Sequence, residues 1–258
     1  MDDLVSRYSD FFILLLVVFA RTGSIVMLLP AFSDEAIPTR IRLFLALGIA
    51  TGLSGLVAPY VNPAVTGPKA LPGIIIAETM VGLSLGMLMR MMFQAIGAAG
   101  SIISFQIGLS SAMVSDASMG GQATVVSRFL LLAATLTCMA LNVHHLWFAA
   151  MLRSYENFPI GQLPPGRDLA ELAVMTMAHA FTLSLSLAAP LIAFGVIFNV
   201  ALGLVSRVTP ALQLFMILAP LNLLLGVAFF AAIVGAILNT FAVSYGDWLN
   251  AGWAMPGG

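Results

Sequence analysis

From Leu172 to Gly246 the chain carries one formal charge, Arg207. A soluble domain could not bury a stretch that long and that apolar around one core, so the chain belongs in or against a membrane, or inside a large apolar assembly. The interruptions of the run are informative. Pro190, Arg207, Pro210 and Pro220 fall where an ordinary spanning helix would be continuous, and each is expected to mark a bend, a turn or a contact.

Hydrophobic residues make up 60% of the chain and charged residues 8%, whereas soluble domains carry about 25% charged residues. That balance argues against a soluble enzyme. With a net charge of −1 and Lys69 as its one lysine, the chain offers no basic stripe for nucleic acid. Cys138 is alone, so no intrachain disulfide is possible. The start, Met-Asp-Asp, lacks the basic residues of a cleavable signal, and the first apolar segment is expected to be a retained membrane helix.

A membrane span needs about 20 apolar residues. Candidates are 11–32 with Arg21 inside, 41–57, 73–98 with Glu78 and Arg90 inside, 124–150, 172–204 and 211–243. Turn-rich joints lie at 33–40, 59–72 and 153–171, and the last of these is expected to face water. No linker or low-complexity tract divides the chain, which reads as one all-α, membrane-associated domain over 1–258. One segment is too long for a simple bundle. As a single helix, 172–206 would extend about 52 Å, against a hydrocarbon core of roughly 30 Å. Basic residues also fail to alternate between successive loops, so the hydropathy segments need not all be true crossings.

Gly48 and Gly52, and Gly82 and Gly86, have the small-x-x-x-small spacing that lets helix backbones approach closely. Glu78 and Arg90 lie about 18 Å apart along a helix axis, on faces roughly 120° apart, so they cannot pair with each other. Each then snorkels near a helix end, contacts a partner protein or faces a wet pore. His144 and His145 are adjacent, without the i, i+4 spacing of a metal face, and Cys138 reads as a small buried hydrophobe. No phosphate loop, paired catalytic carboxylates or Ser/His/Asp pattern stands out. The expectation is therefore no catalytic residue, no metal and no cofactor.

Two segments resist a plain helical reading. Residues 101–122, SIISFQIGLSSAMVSDASMGGQ, are too irregular for a span and too apolar for a solvated loop. Irregular backbone at membrane depth is tolerated where protein buries it or where it lines a cavity. Methionines 87, 89, 91, 92, 113 and 119 surround it, and such flexible side chains can seal a gap of changing shape. A re-entrant plug is expected. Around Arg207, the sequence GLVSRVTP disfavours helix just before Pro210. That puts Arg207 at the tip of a helical hairpin, either snorkelling or touching a partner or lipid.

These stretches carry a resemblance. AIPTRIRLFLALGIA (36–50), FQIGLSSAMVSD (105–116), LNVHHLWFAAMLRSYENFPIG (141–161) and GLVSRVTPALQLF (203–215) resemble, in order and spacing, the FliR family of flagellar export-gate proteins, related to the SctT proteins of virulence type III secretion. The 144–161 stretch is closer to the flagellar branch. The resemblance implies a non-enzymatic gate subunit of the bacterial inner membrane and flagellar basal body. It would assemble with FliP and FliQ, beside FlhB, and pass unfolded flagellar subunits. The implied fold is a set of kinked helical hairpins winding into a spiral hetero-oligomer. About 1–171 would be FliP-like and about 172–243 a FliQ-like hairpin.

The resemblance also implies that 106–122 plugs the pore, which makes Phe105, Gln106, Gly108, Met113, Asp116 and Met119 the candidate plug residues. Arg207, Pro210, Glu78 and Arg90 are the candidate partner-contact or hairpin-tip residues. In the family the methionine-lined constriction comes largely from FliP. The chain departs from the family pattern at Asp116-Ala117, where Asp-Pro is common, and at Ala211-Leu212-Gln213, where Gln-Leu-Asn is common. A small-solute permease subunit, the equivalent gate subunit of a virulence system and an intramembrane enzyme are the competing readings. The first needs internal repeats and the last needs converging polar groups, and neither is evident in the sequence.

Overall fold

The computed structural model describes residues 2–30, 32, 37–60, 71–109, 124–208 and 214–251. Within them the chain forms α1 (Asp2–Leu28), α2 (Thr39–Val57), a short 3-10 turn (Ala58–Tyr60), α3 (Leu71–Gln106), α4 (Val125–Ala140), α5 (His144–Asn157), α6 (Gly166–Val208) and α7 (Leu214–Ala251). No strand occurs among the described residues. Among the described residues five helices are long and apolar enough to cross a membrane, and six spans result if the bent pair α4–α5 counts as one. The chain is an all-α membrane protein.

The helix ends follow local chemistry. Thr124 caps α4, its hydroxyl accepting from the Ser127 amide at 3.1 Å. Arg42 in the first turn of α2 donates twice to the Ile37 carbonyl, at 3.1 and 3.0 Å. Gly108, with φ +82°, follows the end of α3 in the left-handed conformation that glycine tolerates best.

Three expectations need correction. The segment 124–150 is not one continuous helix: α4 and α5 meet at 80°. Asn142 sits between them with φ +58°, a left-handed conformation that asparagine adopts more readily than most residues. A hydropathy window averages across such a break. Second, Pro190 and Pro220 lie inside α6 and α7, which run on past them as helices. Third, 101–122 is not irregular throughout, because α3 continues to Gln106. Ser101 returns its hydroxyl to the Gly97 carbonyl at 3.2 Å, so its polar group is satisfied within the helix.

The chain forms two compact units, one of residues 1–92, 142–177 and 246–258, the other of 93–141 and 178–245. Helices α3, α6 and α7 each contribute to both. The core of the first unit gathers Val17, Val18, Ala50, Val57, Ile74, Tyr155 and Ile160. In the second, Phe93 packs edge-on against Phe241 and Tyr245 at 5.3 and 5.4 Å, and Phe194 stacks on Phe229. Gly100 there lies against the Ser127 backbone, and the Ser127 hydroxyl donates to the Gly97 carbonyl at 2.8 Å. Glycine and serine thus draw α3 and α4 together.

At 43 residues, α6 is about 65 Å long, roughly twice the hydrocarbon thickness. Its exposed residues include Val174, Phe181, Ile197 and Leu204.

Candidate functional site

A buried polar site lies in the first unit and starts with Arg21 on α1. Its Nε donates to Glu78 Oε2 at 2.6 Å and its Nη2 to Glu78 Oε1 at 3.0 Å, a two-point ion pair with both side chains fully buried. The remaining donors reach backbone. Nη1 donates to the Ser154 carbonyl at 3.1 Å and Nη2 to the Phe158 carbonyl at 2.9 Å. The guanidinium carbon sits 4.1 Å from the centre of the Tyr155 ring, in cation–π range. Glu78 Oε1 also accepts from the Gly161 amide at 3.0 Å. One cluster therefore joins α1, α3, α5 and the turn after α5, where Gly161 has φ +79°.

The glycines of α3 make this reach possible. A Cβ at Gly82 would run into the Arg21 carbonyl oxygen and lie 2.9 Å from Ser24 Cβ, and one at Gly86 would lie 3.0 Å from Leu28 Cβ. Glu78, Gly82 and Gly86 follow at i, i+4 and i+8, so they share the face of α3 that meets α1. The close-approach spacing read from the sequence is used here within the chain. The other pair is not, since nothing lies within 4 Å of a Cβ built at Gly48 or Gly52.

Glu78 is thus fully buried and paired with Arg21 inside its own chain. Burial without a counter-charge costs an ionised side chain several kcal/mol, and Arg21 supplies that charge. Sequence reasoning noticed Arg21 inside the first apolar segment and missed its role. The available signal was two opposite, uncompensated charges in separate apolar helices, each of which needs a partner. Arg90 is exposed on α3 and makes no ion pair with a described residue.

The start of the expected plug lies in the second unit. Phe105 is 71% exposed in the last turn of α3, Gln106 ends the helix and Gly108 follows it. Asn222 on α7 donates to the Gln106 carbonyl at 3.3 Å. Met113, Asp116 and Met119 lie outside the described residues, as does Pro210. Arg207 is exposed in the last turn of α6, where a cation complements the helix dipole. Of the methionines read as sealing a gap, Met89 and Met92 are fully buried core residues and Met87 is exposed.

Among the described residues no three His, Cys, Asp or Glu side chains converge as metal ligands. The His144 and His145 rings lie 4.3 Å apart, and Cys138 is buried. An open groove of about 470 Å³ lies between α1 and α3, beside Phe19, Gly23 and Leu83. Its two hydroxyls, Ser24 and Thr79, donate to the Ala20 and Ile75 carbonyls of their own helices, so the groove offers a ligand little but apolar surface.

Comparison with known proteins agrees with this picture of an apolar, glycine-packed membrane chain. The family described as bacterial export proteins, family 1, matches residues 12–247. The flagellar biosynthetic protein FliR of Caulobacter vibrioides is 40% identical over 233 residues, covering 90% of this chain and 93% of its own. The flagellar biosynthetic protein FliR of Escherichia coli (strain K12) is 31% identical over 222 residues, covering 84% of this chain and 82% of its own. That of Bacillus subtilis (strain 168) is 29% identical over 218 residues, with 83% of each chain covered. The chain belongs to this bacterial export family, the FliR family of flagellar export-apparatus components.

Proposed function

We propose that this chain is a pore-forming subunit of the flagellar protein-export gate in the bacterial inner membrane. It assembles with FliP and FliQ, beside FlhB, and unfolded flagellar subunits pass through the pore. The segment after Gly108 closes that pore at rest. The observation that carries this reading, beside family membership, is α6. A helix about 65 Å long, whose only charge between Leu172 and Val208 is Arg207, overruns a bilayer and exposes apolar side chains along its length. Helices that overrun the bilayer must tilt, kink or lie partly outside lipid, and apolar surface outside lipid favours other protein chains.

Closure by the plug is a two-state matter, with substrate or partners biasing the open state. Deleting Ser110–Gln122 is expected to make cells expressing the assembled gate leaky to small ions. Unchanged conductance with the complex intact would remove the closing role. Gentle detergent extraction followed by mass measurement tests the assembly: a large hetero-oligomer is expected, and a lone monomer or homodimer would favour a permease. The permease reading gains little from the buried polar cluster, because Arg21 and Glu78 are already matched to each other and to backbone.

A further inference from the structure

The end of α3 is held by two glycines and an amide on α6 and α7. The Gln106 side chain occupies the place where a Cβ on Gly195 of α6 would stand. Ile107 does the same at Gly226 of α7: a Cβ there would lie 2.6 Å from Ile107 Cγ2 and 2.8 Å from Ile107 Cβ. Asn222, one helical turn before Gly226, donates to the Gln106 carbonyl at 3.3 Å. A Cβ on Gly108 would lie 3.6 Å from the same amide nitrogen. The last side chain of α3 and the one that follows it thus fill two glycine sockets, while the third residue turns with φ +82°.

The hold is tight sterically. Packed interiors resist small changes in volume, so the sockets define where Ile107 sits. Asn222 adds a long hydrogen bond to the Gln106 carbonyl, and its own carbonyl oxygen is buried without a hydrogen-bond partner among the described residues.

We propose that Gly195, Asn222 and Gly226 are positioning residues that lock the end of α3, at Gln106–Gly108, against the α6–α7 hairpin, and so set the resting position from which the gate closes. This rests on the reading of the following segment as the closing element, and it adds which residues hold that element's root.

The test uses the full chain in its assembled complex, with ion leak measured in cells and amide exchange at Ile107 and Gly108 measured on the purified complex. Gly226→Ala forces Ile107 to shift, because the clash reaches its branched Cβ rather than a flexible tip. Leak is expected to rise on the order of tenfold, with complex mass unchanged, and exchange at Ile107 and Gly108 to quicken by a similar factor. Adding Ile107→Ala removes the closer contact, with Cγ2, and leaves the one with Cβ at 2.8 Å, so it is expected to lower the leak part of the way. Gly235→Ala, on the same helix with nothing within 4 Å of its Cβ, is expected to be silent. Asn222→Ala adds no volume and serves should Gly226→Ala fail to assemble, with a smaller leak expected. A tight Gly226→Ala or Asn222→Ala gate beside a leaky Ser110–Gln122 deletion overturns the positioning role and leaves the closing role standing. A tight deletion variant overturns the closing role instead. Exchange at Ile107 and Gly108 that is unchanged in Gly226→Ala overturns the socket whatever the leak shows.

Discussion

Arg21 on α1 and Glu78 on α3, 57 residues apart in sequence, form a fully buried two-point ion pair at 2.6 and 3.0 Å. Arg21 Nη1 and Nη2 also bond the carbonyls of Ser154 and Phe158, and Glu78 also accepts from Gly161. The pair is the point at which three helices and a turn are tied together.

Removing one partner strands the other. Arg21→Ala is expected to destabilise the first unit by about 3–5 kcal/mol, the range for breaking a buried pair. Arg21→Lys should rescue little, since an ammonium cannot make the two-point contact and reach the Ser154 and Phe158 carbonyls together. Replacing both, as Arg21→Met with Glu78→Gln, should cost less than Arg21→Ala alone. Thermal unfolding of the purified complex measures all three, and additive losses in the double variant would deny the coupling.

Tyr155 presents its ring to Arg21, while its hydroxyl is buried without a hydrogen-bond partner among the described residues. Tyr155→Phe keeps the ring and deletes the unpaired group, so it is expected to be neutral or slightly stabilising. Tyr155→Leu loses the cation–π contact and should cost about 1–2 kcal/mol beyond any packing change. The same melting experiment checks both, and a large loss in Tyr155→Phe would mean the hydroxyl is engaged.

The two glycine pairs make opposite predictions. Gly82→Ala drives a methyl into the Arg21 carbonyl of α1, a backbone atom that cannot swing aside, and overpacking of this kind costs about 1–3 kcal/mol. Gly48→Ala and Gly52→Ala meet nothing within 4 Å and should stabilise α2 by up to about 1 kcal/mol each through helix propensity. Stability of the isolated chain in detergent is the measurement. Equal effects at all three positions would show that the α1–α3 approach is looser than described.

Asn142 sets the 80° break between α4 and α5 from a left-handed conformation. Asn142→Gly should be tolerated, and Asn142→Val should lose roughly 1–2 kcal/mol or straighten the pair. Thermal unfolding together with the distance between labels on α4 and α5 distinguishes the two outcomes.

The approximate place of the long apolar helices was legible in the residues, as was the family, because both depend on sums over neighbouring positions. Apolar runs of this length admit little besides helix in a membrane, and the GLVSRVTP and FQIGLSSAMVSD stretches are local patterns. The close-approach glycines could be recognised as a type, but which pair is filled depends on where α1 passes. The break at Asn142 was hidden because one residue's dihedral angle leaves a hydropathy average unchanged. The pairing of Arg21 with Glu78 and the seating of Gln106 and Ile107 on Gly195 and Gly226 were hidden for a stronger reason. Each joins residues far apart along the chain, and side chains that distant meet only once the helices have packed.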